Sequence, residues 1–323
     1  MHHTGLIYAF VLDGSGGARQ LDWQGVRSWQ HEQGPIWIHL DYSSDEARNW
    51  ILTESHINEI AGEALLNEET RPRATAVGDA LLLSLRGVNF NPGSDPEDMV
   101  SIRMWLTSDQ VVTTRKRKLQ SASDMAASLQ NGNGPKTISE FLVDFSGRIT
   151  SRMEALVEEL EDRSAQLEEA VIDNGNAILR SELSAIRRET IMLRRYLAPQ
   201  REAMIKLASA TAAWLTDNDR MRLREVTDQL VRYIEDLDSI RDRASVTHEE
   251  LVNRQSEQMN ARMYILSLVA ALFLPLGFFT GLLGINVGGI PGANNPWAFA
   301  IFIVILLVIV IFQVIYFKKK EWM

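Results

Sequence analysis

Two uninterrupted apolar stretches near the C-terminus constrain this chain more than anything else in it. Residues 264–284 and 297–317 each run 21 positions without Asp, Glu, Lys, Arg or His. As helices rising about 1.5 Å per residue, both are long enough to cross a hydrocarbon layer about 30 Å thick. The twelve residues between them, 285–296, read INVGGIPGANNP and carry no charge, so a tight turn at one membrane face is expected. Lys318, Lys319 and Lys320 follow the second stretch, and Arg254 and Arg262 precede the first. The bias of basic residues toward the cytoplasm then predicts both termini inside and the uncharged turn outside.

The rest of the chain is a different material. Of 33 basic and 42 acidic residues, three basic and one acidic lie in residues 263–323, which leaves 30 basic and 41 acidic, a net of -11, in residues 1–262. Such a field draws cations and disfavours nucleic acid as a partner, although a mild acidic excess is also the ordinary state of soluble cytosolic domains. The first residues, MHHTGLIYAF, lack the basic start and long apolar core of a signal peptide, which suits a cytoplasmic beginning. Cysteine is absent, excluding disulfides and thiolate metal sites.

Enzyme signatures are missing too. No HExxH is present, and Gly132-Asn133-Gly134-Pro135-Lys136-Thr137 does not have the spacing of a phosphate-binding loop. No nucleophile–base arrangement stands out, so neither catalysis nor direct ATP drive is expected, and no resident cofactor is implied. His39, His56 and His248 are far apart in sequence, and each alone is expected to be structural or exposed; His2 and His3 sit at the terminus, where adventitious metal binding is the modest expectation. The basic run Arg115-Lys116-Arg117-Lys118 fits a solvated turn and equally a contact with phosphate or lipid headgroups.

Taken in order, residues 6–12 read as a strand closed by Asp13-Gly14-Ser15-Gly16-Gly17, and 35–40 as a second strand. Ser43-Ser44-Asp45-Glu46 opens a short helix through Ile51, and a further short helix is expected over 57–66. Residues 80–89, 100–106 and 110–114 are strand candidates, the last two joined as a hairpin through Thr107-Ser108-Asp109. After about residue 118 helical periodicity takes over, giving long antiparallel helices over 137–171 and 177–214 whose charged faces, such as Glu158, Glu159, Asp162 and Arg163, read as solvated. From Asp219 to Gly284 no proline precedes Pro275 and no glycine precedes Gly277, so one helix of roughly 95 Å is expected. Leu223, Val226, Leu230, Tyr233, Leu237, Ile240 and Ala244 form its lengthwise seam, which fades over 245–262. The expected organisation is therefore α+β: a mixed domain over 1–136, long helices over 137–218, a stalk helix over 219–263, spans over 264–284 and 297–317, an outer loop over 285–296, and a tail over 318–323.

Two spans per chain cannot enclose a water path, so transport would require assembly into a ring in the lipid bilayer. Steps of three and four from Asn260 place Met263, Ser267, Ala270, Leu274, Phe278 and Gly281 on one helix face, which reads either as the lining of a passage or as an ordinary packing face. His248, Glu249, Glu250 and Glu257 on the stalk would either bind and concentrate cations or form a solvated face.

At the end of the first span, Gly284-Ile285-Asn286 followed by Val287-Gly288-Gly289-Ile290-Pro291-Gly292 resembles the CorA family of divalent cation transporters, whose first transmembrane helix ends in Gly-Met-Asn. Ile285 departs at the middle position, and the loop lacks the acid common in magnesium-transporting members; GINVGGIPG is similar to the zinc-transporting ZntB branch. The likeness extends to Arg71-Pro72-Arg73-Ala74-Thr75, Leu85-Arg86-Gly87-Val88-Asn89 and Val111-Val112-Thr113-Thr114-Arg115. It implies a homopentameric funnel with an α/β/α N-terminal domain in a bacterial inner membrane and a pore lined by the first span. It also implies an Asn286 ring at the outer mouth supported by Gly284, and divalent cations, zinc above all, as cargo. Magnesium, cobalt or nickel channelling and a membrane-anchored scaffold are the other readings.

Overall fold

The computed structural model describes residues 5–68, 71–173, 177–284, 290, 292 and 295–320. It divides into two compact units, Met1–His248 and Glu249–Met323.

The first unit is built on one seven-stranded sheet: β1 (Leu6–Leu12), β2 (Ala18–Gln20), β3 (Ile36–Asp41), β4 (Arg73–Val77), β5 (Ala80–Gly87), β6 (Val100–Leu106) and β7 (Gln110–Arg115), in the order β2-β1-β3-β7-β6-β5-β4. The central pair, β3 and β7, is parallel with His39 opposite Thr113, and the other described pairings are antiparallel. Ile36 to Leu40 are all buried, which is why β3 reads as a continuous apolar run and not as an alternating one. Its two faces still part company. Ile36, Ile38 and Leu40 pack with Trp23, Trp50, Ile51 and Leu65, from α1 (Trp23–Arg27), the turn after α2 (Asp45–Asn49), and α3 (Glu59–Leu66). On the opposite face Trp37 meets Phe141, ring centroids 5.1 Å apart, and Phe141 stacks on Phe145 within α5 (Ile138–Ser151). This is the expected α/β/α layering.

Side-chain caps fix where these helices start. Asn58 accepts from the Ala61 N–H at 2.8 Å to open α3. Thr137 accepts from the Glu140 N–H at 3.1 Å, while the Glu140 carboxylate accepts from the Lys136 N–H at 2.8 Å.

Three elements carry no clear signal in the sequence: α1 and the strands β2 and β4. Both strands are sheet edges, and β4 is largely exposed, so no buried face imposes an alternating pattern. The expected helix over 137–171 is two helices, α5 and α6 (Glu154–Asp173), because the chain turns at Arg152 to bury Met153 fully. α4 (Gln120–Gln130) precedes them, α7 (Ala177–Ala208) ends six residues before Trp214, and α8 (Asp217–Gly284) starts two residues before Asp219.

The seam of α8 is buried at Leu223, Leu230, Tyr233, Leu237, Ile240 and Ala244, with Val226 half-buried. It does not stop where expected, since Thr247 and Leu251 are also buried. Nor are the long-helix charges merely solvated. Arg163 of α6 reaches Glu189 of α7 at 2.8 Å, Arg194 of α7 reaches Asp238 of α8 at 2.8 Å, and Arg243 of α8 reaches Glu168 of α6 at 2.9 Å. Sequence spacing favours pairs within a helix; packing the three helices together brings these partners closer.

Candidate functional site

In the second unit, α8 is uncharged and mostly apolar from Tyr264 onward, and α9 (Ala298–Lys319) is so up to its terminal lysines. Both pass as membrane-crossing helices by length and composition, and their apolar windows are not buried within the chain. Soluble packing therefore does not account for these surfaces.

One stripe of α8 is half-buried: Leu268, Ala271, Leu272, Pro275 and Leu276. It faces α9, because Gln313 Nε2 donates to the Ala271 carbonyl at 3.4 Å. The pairing has a local cause. Pro275 has no N–H to give the carbonyl four residues earlier, which is that of Ala271, and the Gln313 amide supplies the missing donor. Asn260, Met263, Ser267, Leu274, Phe278 and Gly281, the face singled out from spacing, are all exposed. At about 100° per residue, the part of that face from Met263 on is centred about 120° around the helix from the α9 stripe. Beyond their own stretch of helix, Gly277, Gly281 and Gly284 have no described atom within 4 Å of where a Cβ would stand. Packing among the described residues gives no reason for these glycines.

Gly284 closes α8, while Ile285 and Asn286 lie outside the described residues. The stalk positions do not converge within one chain. Among the described residues, His248 is half-buried and its Nδ1 has no hydrogen-bond partner, Glu250 pairs with Arg254 at 2.7 Å, and Glu249 and Glu257 are exposed. Among the described residues, no group of three or more His, Asp or Glu is placed to hold a metal ion.

His39 is part of the core. It is 1% exposed, its Nδ1 lies 2.7 Å from Thr113 Oγ1, and burial, helped by the charge of Arg115, lowers its pKa to about 3. His56 sits at φ 56° beside a cavity of about 590 Å³ that Trp29, His31, Trp50 and Glu54 also line. No spacing rule indicates this cavity, since its walls come from separated segments. In the basic run, Lys116 pairs with Glu68 and Arg117 with Asp98, while desolvation lowers the pKa of Arg115. The segments 85–89 and 111–115 supply structural latches. Thr113 also accepts from Trp37 Nε1 at 2.9 Å, Thr114 donates to the Leu65 carbonyl at 2.5 Å, and Arg86 lies over the Tyr196 ring at 4.2 Å.

A mixed sheet between helical layers, followed by a long helix that becomes the first of two closely spaced apolar helices, defines a class of membrane transporter. Residues 32–319 match the family described as CorA-like Mg2+ transporter protein, and the chain belongs to that family. It is a transporter and not an enzyme. It is 36% identical over 317 residues to the zinc transport protein ZntB of Yersinia pestis, covering 98% of this chain and 96% of that one. It is 38% identical over 322 residues to the divalent cation transporter CmaX of Pseudomonas aeruginosa, covering 99% and 97%. The structure of the full-length CmaX protein superimposes with a TM-score of 0.87 at 37% identity, covering 99% of this chain and 98% of that one.

Proposed function

We propose that this chain carries hydrated divalent cations, zinc foremost, across a bacterial inner membrane through a homopentameric pore lined by the C-terminal part of α8, with both termini in the cytoplasm. The observation that carries the reading is the free face of α8. Asn260, Met263, Ser267, Leu274, Phe278 and Gly281 are uncharged, exposed, and turned away from the stripe that α9 occupies. Five such faces around an axis would enclose a passage that one chain cannot. The glycines at 277, 281 and 284 would let neighbouring helices approach closely.

In this arrangement Asn286 closes the outer end of the pore. Its carboxamide oxygens hydrogen-bond the water shell of an ion without stripping it, so entry is favourable and release stays fast. Asn260 and Ser267 serve the same hydrated ion further along, and Leu274 forms an apolar constriction that gates by dewetting. Zinc rests on the likeness to ZntB and on the uncharged loop, while the likeness to CmaX supports a divalent cation as cargo. The spans contain no carboxylate, so proton coupling would use groups outside them or co-passage through water.

Reconstituted into proteoliposomes, the protein should pass zinc faster than magnesium, cobalt or nickel, respond to an imposed pH gradient, and lose most flux in Asn286→Ala. A monomer in a native-like bilayer, or no metal flux under any gradient, would instead indicate a membrane-anchored scaffold.

A further inference from the structure

We infer that the N-terminal unit binds a soluble oligophosphate in a basic recess between β4 and α7. The recess, about 400 Å³, is lined by Arg71 just before β4, by Arg73 at its start and by Pro199, Arg201, Glu202 and Lys206 of α7. Four cations thus face one carboxylate. Glu202 is already occupied, accepting from Arg201 Nη2 at 2.6 Å and from Nε at 3.2 Å. Among the described residues, Arg71, Arg73 and Lys206 have no ion-pair partner. Several other cations of the unit, Arg27, Lys116, Arg117, Arg148, Arg152, Arg163, Arg194 and Arg243, do reach a carboxylate. Where 38 acids outnumber 28 bases over residues 1–248, four cations gathered around one concavity are set out for an anion from outside.

The walls are held in place. Gln200, buried beside Pro199 and Arg201, accepts from the Arg86 N–H at 2.7 Å and ties α7 to β5. Asp79, in the turn from β4 to β5, accepts from the Ala213 N–H and, through its carbonyl, from Trp214 Nε1, both at 2.7 Å. β4 is the sheet edge, so alternate backbone N–H groups face away from the sheet as additional donors.

The donor set determines the ligand class. Guanidinium forks match phosphate oxygens two at a time, and several cations around one recess suit a chain of phosphates better than a single one. The remaining walls are alanine and proline without an aromatic ring, so nothing there would stack on a base. The phosphate chain is what is read, whether it comes free or as the tail of a nucleotide. Nothing in this inference depends on which cation is transported.

Calorimetric titration of the full-length protein in detergent, metal-free, with sodium tripolyphosphate at low salt tests it. One saturable site per chain is expected, weakened about tenfold or more by Arg71→Ala or Arg73→Ala and only partly preserved by Arg71→Lys, which keeps the charge but loses the fork. Glu202→Gln frees Arg201 and should tighten binding, a gain that a misfolded variant cannot imitate. ATP binding no tighter than tripolyphosphate, with inorganic phosphate much weaker, would confirm that the chain of phosphates is recognised. Absence of saturation by about 1 mM, unchanged affinity in the Arg71→Ala/Arg73→Ala double variant, or binding only to phosphatidylglycerol vesicles would overturn the inference.

Discussion

Gln313 on the second apolar helix donates to the carbonyl of Ala271 on the first, the carbonyl that Pro275 leaves without its own helical partner. Inside a bilayer an unpaired backbone carbonyl is costly, so the proline and the glutamine are coupled although 38 residues separate them. Gln313→Leu should destabilise the protein by about 0.6 kcal/mol. In a Pro275→Ala background, where the backbone repairs itself, the same change should cost close to nothing. Unfolding in mixed micelles of the four proteins in the double-mutant cycle measures the difference. Equal effects in both backgrounds would show that Gln313 does not act through the freed carbonyl.

His39 makes the fold sensitive to acid. Its ring protonates near its ordinary value of 6.5 in the unfolded chain but only near 3 when buried. The unfolded state therefore binds the extra proton throughout that window, and stability falls as pH drops from 6.5 toward 3. The slope attributable to this residue is about 1.4 kcal/mol per pH unit. Equilibrium unfolding followed by tryptophan fluorescence at stepped pH should show the slope in the native protein and a shallower one in His39→Gln.

Gly87, in the Leu-Arg-Gly-Val-Asn segment, is required by contact and not by backbone conformation. A Cβ there would stand 2.8 Å from Leu119 Cδ1, and Leu119 is 2% exposed. Gly87→Ala should cost about 1–3 kcal/mol through overpacking. Leu119→Ala alone should cost about 2–5 kcal/mol through the cavity it leaves. Together they should cost less than the sum, since each relieves the other, and chemical denaturation of the three variants tests this.

The two faces of α8 should respond differently to a polar side chain. Leu274 lies on the face proposed to surround the ion path, and Leu276 on the stripe against α9. Leu274→Ser should wet the constriction and raise metal flux in proteoliposomes severalfold. Leu276→Ser should lower thermal stability without raising flux. An increase from both would remove the distinction between the faces.

Much of this protein follows directly from its sequence because the signals are long or periodic. Two stretches of 21 uncharged residues admit few fates but membrane spans, the buried runs of β3, β5 and β6 are strands by composition, and the three- and four-residue steps from Leu223 to Ala244 mark a packed helix face. Gly284-Ile285-Asn286 indicates the family without any coordinates. Tertiary structure decided what depends on partners distant in the chain. β2 and β4 exist because neighbouring strands offer them hydrogen bonds, not because their own side chains require it. Arg163, Arg194 and Arg243 chose carboxylates on other helices, since packing three helices together brings those groups nearer than any within the same helix. The recess between β4 and α7 joins residues 71–74 to residues 198–206, and only the docking of that helix beside the sheet edge gathers their charges. Sequence fixes which side chains are available and how they repeat along an element; which of them meet is settled by the packing of one element on another.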